Sequence, residues 1–160
     1  MSLTLRPPTV EDGAAIHALV EATGVLDVNS QYAYVLIGAH HSATSVVAEE
    51  EGHLLGFIYG YRLPDRPDTL FVWQVGVDDA ARGRGLATRM LKWLVERLGV
   101  TYLETTVTPS NTPSRRLFRG FAEKLGADCE VTEGFPSNLF SGTDHEPEEL
   151  FRIGPFRSHA

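Results

Sequence analysis

The 160-residue chain predicts an α/β domain built on a mixed sheet. Three observations carry that prediction. Runs suited to strands, such as "SVVAEEE", "HLLGFIYGYRL" and "TLFVWQVGV", stand beside stretches with apolar residues at helical spacing, such as "AAIHALVEA" and "LATRMLKWLVERL". The two kinds follow one another as β-α-α-β-β-β-α-β-α-β-β, the ordering of an α/β domain with a mixed sheet. Glycine and proline fall at the joints between them. At this length the chain is expected to form one domain over residues 1–160, large enough to bury a core without staples.

"LTLR" opens as a strand that Pro7 and Pro8 break. Thr9 followed by Asp12 gives an approximate capping box, the Asp being shorter than the usual Glu. Ile16, Leu19 and Val20 then recur at helical spacing, and Gly24 ends that helix. "VLDVNS" is a polar hinge, with Asn29 or Ser30 to cap a second helix, "QYAYVLIGAHH". "TSVVAEEEGHLLGFIYGYRLP" reads as a hairpin around an acidic turn, "PDRPD" as a second turn and "TLFVWQVGV" as the next strand. Leu86, Met90, Leu91, Leu94, Val95 and Leu98 form the apolar stripe of the following helix. "YLETTVT" is a strand, and "PSNTPSRRLFRGFAEKLGA" a helix started by Pro113 and Ser114 and stopped at Gly126. "DCEVTEGF" and "EELFRIG" are the last strands, separated by the polar loop "PSNLFSGTDHEPE".

Composition bounds the function classes. Apolar residues make up 42% and charged residues 22%, ordinary values for a soluble globular protein. No apolar run approaches the length of a membrane span, and the first residues lack the basic and apolar regions of a signal peptide. Cys129 is the single cysteine, which excludes an internal disulfide and fits a reducing cytoplasm. The formal net charge of −7 argues against nucleic acid or an anionic membrane as partner. His17, His40, His41, His53, His145 and His159 are scattered without metal-ligand spacing, so no metal is expected.

Against that acidity, "WQVGVDDAARGRGLATRM" places Arg82 and Arg84 beside Gly83 and Gly85 at the mouth of a helix. A helix start leaves four N–H groups without intrahelical partners and carries partial positive charge. Glycine lets an anion approach that backbone closely. The same residues also read as a solvated turn whose glycines permit a tight bend. No P-loop motif is present, and the third glycine of a dinucleotide fingerprint is missing. What remains is R-x-x-G-x-A, carried by Arg82, Gly85 and Ala87 after a strand ending Val75-Gly76-Val77.

This strand, turn and amphipathic helix resemble the acetyl-coenzyme A site of the GNAT acetyltransferase superfamily, and the element order is similar to that fold. The resemblance implies a mixed, mostly antiparallel sheet flanked by helices, with coenzyme A bound at the strand–turn–helix after the fourth strand. It places the pyrophosphate on the turn amides of Arg82, Gly83, Arg84, Gly85, Leu86, Ala87 and Thr88. It places the pantetheine arm along the backbone of Val75, Gly76 and Val77. "TVTPSNTPSRRLFRGFAEKLG" resembles a second family segment, which puts Asn111 and Ser114 near the coenzyme. Many members carry a tyrosine there that returns a proton to the leaving thiolate. This chain has Phe118 instead, so no tyrosine acid is expected at that place, and Phe118 packs either on the pantetheine or in the core.

Fold leaves the acceptor open. "TGVLDVNSQYAY", "RPDTLFVWQVGVD" and "HEPEELFRIGP" together resemble the diaminobutyrate acetyltransferases of ectoine biosynthesis, over nearly the whole chain. The resemblance implies acetyl transfer from acetyl-CoA to the γ-amine of L-2,4-diaminobutyrate, and a homodimer. In such a site Asp27 holds an ammonium, Asn29 and Ser30 supply polar contacts, and Trp73 walls the pocket. Glu148, with Glu146 as second choice, reaches in from the C-terminal loop. Each has a plainer reading: Asp27 as a turn residue, Trp73 as core, and Glu146, Glu148 and Glu149 as a solvated charge run. The expected chemistry is direct attack by the neutral amine, with the Val75 amide polarising the thioester carbonyl. Neither the general acid nor the general base is assigned, and Cys129 reads as a structural thiol. Two alternatives keep the turn but change the rest: a GNAT enzyme for another small amine or amino acid, and a non-catalytic acetyl-CoA sensor.

Overall fold

A computed structural model describes residues 2–141 and 144–157, so His159 lies outside the described residues. The elements follow the expected order: β1 (Leu3–Arg6), α1 (Gly13–Thr23), α2 (Gln31–His40), β2 (Val46–Glu50), β3 (His53–Leu63), β4 (Arg66–Val77), α3 (Leu86–Leu98), β5 (Tyr102–Val107), α4 (Thr112–Lys124), β6 (Asp128–Phe135) and β7 (Glu148–Gly154). Among the described residues, four short 3-10 turns, at Val10–Asp12, Ser42–Thr44, Asp79–Ala81 and Ser137–Leu139, add to it. Chain contacts divide it into two compact units, Met1–Arg62 with Val72–Leu98, and Leu63–Phe71 with Gly99–Ala160.

In the first unit the neighbouring strands run β1, β2, β3 and β4. β1 pairs antiparallel with β2, Leu3 opposite Glu50, and β2 pairs antiparallel with β3, Val47 opposite Phe57. Ile16, Leu19 and Val20 of α1 and Tyr34 and Ile37 of α2 close on Val47 and Phe57 as one buried cluster. Burying each such side chain contributes about 1.5–3 kcal/mol. α3 covers the other side of β3: a Cβ on Gly56 would meet Met90 Cε at 2.9 Å and Leu86 Cδ2 at 3.1 Å, and successive strand residues face opposite ways.

The entry into α1 is held by ions. Arg6 donates to both carboxylate oxygens of Asp12, at 2.8 and 2.9 Å, and to Glu49 at 2.8 Å. Asp12 also accepts the Thr9 backbone N–H at 2.7 Å, as the expected capping box between Thr9 and Asp12 requires. The Arg6 guanidinium holds the Asp12 carboxyl below its usual range. Gly24 ends α1 in the left-handed conformation, φ 68°, as expected.

β4 is longer than the sequence suggests. It begins at Arg66 rather than at Thr69, running through Pro67. Proline removes one N–H but its fixed φ is compatible with extended chain at such a position. Residues up to Phe71 belong to the second unit and those from Val72 to the first.

In the second unit the strand neighbours run β4, β5, β7 and β6. β7 pairs antiparallel on both sides, with Ile153 opposite both Leu103 and Cys129. Phe121 of α4, Leu103, Phe151 and Ile153 are fully buried. Arg115 and Arg119 lie over the Phe151 ring, 5.1 and 5.5 Å from its centroid. Glu104, 3% exposed, is neutralised by Arg66 at 3.4 Å and by Arg152 in a closer ion pair, as a buried carboxylate requires.

Candidate active site

β4 ends at Val77, and the Asp78 carboxylate accepts the Ala80 N–H at 2.8 Å to start the 3-10 turn Asp79–Ala81. The chain then crosses Arg82–Gly85 before α3. Gly83 and Gly85 hold φ 81° and 68°, a conformation that a side chain disfavours, and a Cβ on either would meet no atom within 4 Å. The glycines therefore answer to backbone shape and border open space. The first hydrogen bond of α3 runs from the Arg89 N–H to the Gly85 carbonyl at 3.1 Å. The amides of Leu86, Ala87 and Thr88 thus precede the helical ladder and have no acceptor within it. Thirteen residues of aligned peptide dipoles add partial positive charge at that end. The turn fits the phosphates of a nucleotide coenzyme.

Both guanidinium groups there are already engaged. Arg82 meets Asp79 at 2.8 Å and Arg84 meets Glu50 at 3.0 Å, both in exposed positions. Arg84 lowers the Glu50 carboxyl below its usual range.

The strand leading to the turn is irregular. Trp73 stands edge-on to Tyr59 with ring centroids 5.1 Å apart. A Cβ on Gly76 would fall 2.7 Å from the Phe57 ring. Phe57 and Tyr59 are two apart on β3 and share a face. Trp73 and Gly76 address that face across an odd interval, so strict alternation fails between them, the mark of a bulge. Trp73 is 49% exposed, which rules out the plain core reading.

The hinge carrying Asp27, Asn29 and Ser30 is tied to this same strand. The Gln74 side chain donates from Nε2 to the Asp27 carbonyl at 2.8 Å and accepts from the Tyr34 hydroxyl at 3.1 Å. The Asn29 backbone and side-chain N–H groups lie 3.4 Å from that hydroxyl. The Asp27 side chain stays exposed. Ser30 proves to be the cap of α2, its Oγ accepting the Ala33 N–H at 3.2 Å. Gln74 and Tyr34 are absent from the residues picked out by sequence. The one signal for Gln74 was a lone amide inside the apolar run "FVWQVGV", which demands buried partners without naming them.

The remaining candidates lie in the second unit. Asn111 caps α4, accepting the Ser114 N–H at 3.2 Å, and Phe118 is buried. Glu146 accepts the Ser110 N–H at 3.1 Å and, in a shorter bond, its hydroxyl. Glu149 pairs with Arg115 at 2.7 Å. Among the described residues Glu148 alone of the three carboxylates is left without a side-chain partner. Burial raises the Cys129 thiol above its usual range. Among the described residues no group of three or more His, Cys, Asp or Glu is placed to hold a metal ion, and no helix is long and apolar enough to cross a membrane.

A strand running into a glycine-arginine turn and an amphipathic helix, inside this element order, defines a class: the chain belongs to the acetyltransferase (GNAT) family, whose pattern it matches over residues 14–122. Its relatives narrow that class. It is 51% identical over 156 residues to the L-2,4-diaminobutyric acid acetyltransferase of Bordetella parapertussis, covering 95% of this chain and 84% of that one. It is 48% identical over 153 residues to the enzyme of that name from Virgibacillus pantothenticus, covering 94% and 96%. Among solved structures it is similar to the diaminobutyrate acetyltransferase of Paenibacillus lautus in complex with its substrate L-2,4-diaminobutyric acid and coenzyme A. There the TM-score is 0.91 and the identity 44%, over 99% of this chain and 98% of that one.

Proposed function

We propose that this protein transfers the acetyl group of acetyl-CoA to the γ-amine of L-2,4-diaminobutyrate, giving N-γ-acetyl-diaminobutyrate for ectoine biosynthesis. One arrangement carries the reading: a glycine-arginine turn at the start of α3, and the Asp27–Ser30 hinge pinned to the strand that feeds that turn. The near-complete likeness to an enzyme seen with diaminobutyric acid and coenzyme A supports it. The match to the GNAT pattern spans residues of both units, which supports one acetyltransferase domain over the whole chain.

When bound, acetyl-CoA supplies a thioester whose carbonyl carbon accepts the amine. The chain does the rest. Amides of Gly83–Thr88 and the Arg82 and Arg84 guanidinium groups hold phosphate oxygens. The backbone of Val75–Val77 lines the pantetheine arm, and Asn111 and Ser114 are the further coenzyme contacts that the family pattern implies, whereas Phe118, 3% exposed, takes the core reading. A bulge leaves a backbone group outside the strand ladder, which suits the Val75 amide to polarise a carbonyl oxygen. An alkyl amine with pKa about 10 arrives as ammonium and must give up a proton, to a bound water or a carboxylate, before it attacks. As the C–N bond forms the C–S bond breaks, and the departing thiolate takes up a proton. Asp27 holds the α-ammonium by a charge-assisted hydrogen bond, and Glu148 is the further carboxylate that the resemblance implies, with Glu146 already committed to Ser110. Asn29 and the Ser30 hydroxyl proton serve the acceptor's other polar atoms, and Trp73 keeps water from the reacting centre. Cys129, kept as a thiol by burial, takes no covalent part. The setting is the cytoplasm and the working form a homodimer, which light scattering at micromolar concentration tests.

The deciding assay is thiol release from acetyl-CoA with L-2,4-diaminobutyrate, beside ornithine, lysine and diaminobutyrate already acetylated at its γ-nitrogen. Rapid release with diaminobutyrate and a γ-acetyl product by NMR are expected. Release no faster than background hydrolysis rejects the acceptor assignment.

A further inference from the structure

We infer that Gln74 is a positioning residue that fixes how far the acceptor-binding hinge stands from the point of transfer, and so the length of diamino acid that the protein accepts. This rests on the acceptor reading above.

Gln74 is 5% exposed, within a strand segment otherwise rich in apolar residues. A buried amide is tolerated only when both of its ends are bonded. Here its partners come from the hinge and from a core tyrosine: the Asp27 carbonyl at 2.8 Å on one end and the Tyr34 hydroxyl at 3.1 Å on the other. Tyr34 is itself packed into the core. It is fully buried, with its ring edge-on to Phe57 at 6.1 Å and to His17 at 6.0 Å. The same hydroxyl lies 3.4 Å from both donors of Asn29. Asn29, Tyr34, Gln74 and Asp27 thus form one relay that grips the hinge two residues apart and anchors it to the core.

The relay immobilises the backbone of Asp27 while its carboxylate remains exposed. Trp73 and Val75 flank Gln74 on the strand. The residue that anchors the ammonium-binding hinge is therefore the immediate neighbour of those assigned to the pocket wall and the carbonyl polariser. The length of one glutamine side chain sets the separation between them. A misplacement of about 1 Å can cost up to about a hundredfold in rate, and acceptors one or two methylenes longer than diaminobutyrate differ on that scale. A side chain kept only for packing would need no amide at this position.

The test is Gln74→Met, which keeps length and volume but removes both hydrogen bonds, with Tyr34→Phe and the double variant. The expected result for Gln74→Met is a KM for diaminobutyrate raised about tenfold, with the KM for acetyl-CoA within about twofold of the parent. The preference for diaminobutyrate over ornithine, as a ratio of kcat/KM values, falls about tenfold. Tyr34→Phe shifts both in the same direction, and the double variant falls short of the sum, because the residues share one relay. Backbone amides of residues 26–30 exchange hydrogen faster in Gln74→Met. A folded Gln74→Met that keeps its diaminobutyrate KM and its preference, or raises both KM values in parallel, overturns the inference. If the parent protein does not acetylate diaminobutyrate, the functional reading fails separately. Exchange still judges the clamp then: unchanged exchange over 26–30 overturns it and selective acceleration upholds it.

Discussion

Two helix glycines are expected to respond to alanine with opposite signs. In a helix interior glycine is less stable than alanine by about 0.5–1 kcal/mol, so propensity alone favours both replacements. Gly120 lies exposed in α4, and a Cβ there meets nothing within 4 Å. Gly38 in α2 lies against the chain entering the 3-10 turn before α1. Its Cβ would fall 2.3 Å from the Thr9 carbonyl oxygen and 2.7 Å from the Val10 nitrogen. That is more than about 1 Å inside the optimal separation of non-bonded atoms. The opposing atoms are backbone, and Thr9 is further fixed by its 2.7 Å hydrogen bond to Asp12. Overpacking of this kind costs about 1–3 kcal/mol. Taking the upper end because nothing flexible can yield, and subtracting the propensity gain, Gly38→Ala should lose about 2 kcal/mol. At about 2–4 °C per kcal/mol for a chain of this length, thermal melts should show Gly38→Ala about 4–8 °C below the parent. Gly120→Ala should melt about 1–4 °C above it. A Gly38→Ala protein as stable as the parent would refute the close seating of α2 on Thr9.

Further outcomes follow from the same geometry. Gly85→Ala, forced to φ near 68°, should weaken acetyl-CoA binding at least about tenfold by calorimetry while costing only about 1–2 kcal/mol in stability; unchanged affinity would remove the turn from the coenzyme site. The Asp12 carboxyl is held below its usual range by Arg6, so its contribution is present above the unfolded carboxylate pKa of about 3.9 and is lost as pH falls through the depressed folded value. Asp12→Asn should therefore destabilise by about 2 kcal/mol near neutral pH, and its gap from the parent in urea melts should narrow below about pH 4; a gap independent of pH would contradict the ion pair. Cys129→Ala should keep kcat within about twofold, and the parent thiol should alkylate more slowly than a free cysteine at pH 7, since burial keeps it protonated; loss of turnover in that variant would point to an acyl-enzyme.

Much of this was legible in the chain because local patterns and tertiary demands agree. The stripe Leu86–Met90–Leu91–Leu94–Val95 predicts α3, and those residues are buried in it. "EELFRIG" predicts β7 to the residue. Proline and aspartate in "PDRPD" read locally as a turn, whereas sheet neighbours select the extended form and β4 begins at Arg66. The glycine-arginine turn was readable because a positive φ needs glycine. The Gln74–Tyr34 relay was not readable, since its members lie 40 residues apart and only the packing of α2 brings them together. Among Glu146, Glu148 and Glu149 the charge pattern offers no ranking, and only the family resemblance puts Glu148 first and Glu146 second. The partners Ser110 and Arg115, supplied from elsewhere, set two of them apart from the third.

The Arg82–Asp79 and Arg84–Glu50 pairs bear on the kinetics of coenzyme capture. With each guanidinium matched to a carboxylate of the chain, the turn presents little field of its own beyond a few ångströms, and the molecule around it carries a net charge of −7. If the turn holds the coenzyme as proposed, a polyanionic coenzyme is repelled at long range and its phosphates must displace these carboxylates at contact. Dissolved salt, which cuts the screening distance from about 10 Å at 0.1 M to about 3 Å at 1 M, then shields a repulsion rather than an attraction. Association with acetyl-CoA should therefore accelerate as ionic strength rises, opposite to the slowing seen where charge steers a ligand home; stopped-flow rates that fall with added salt would contradict it.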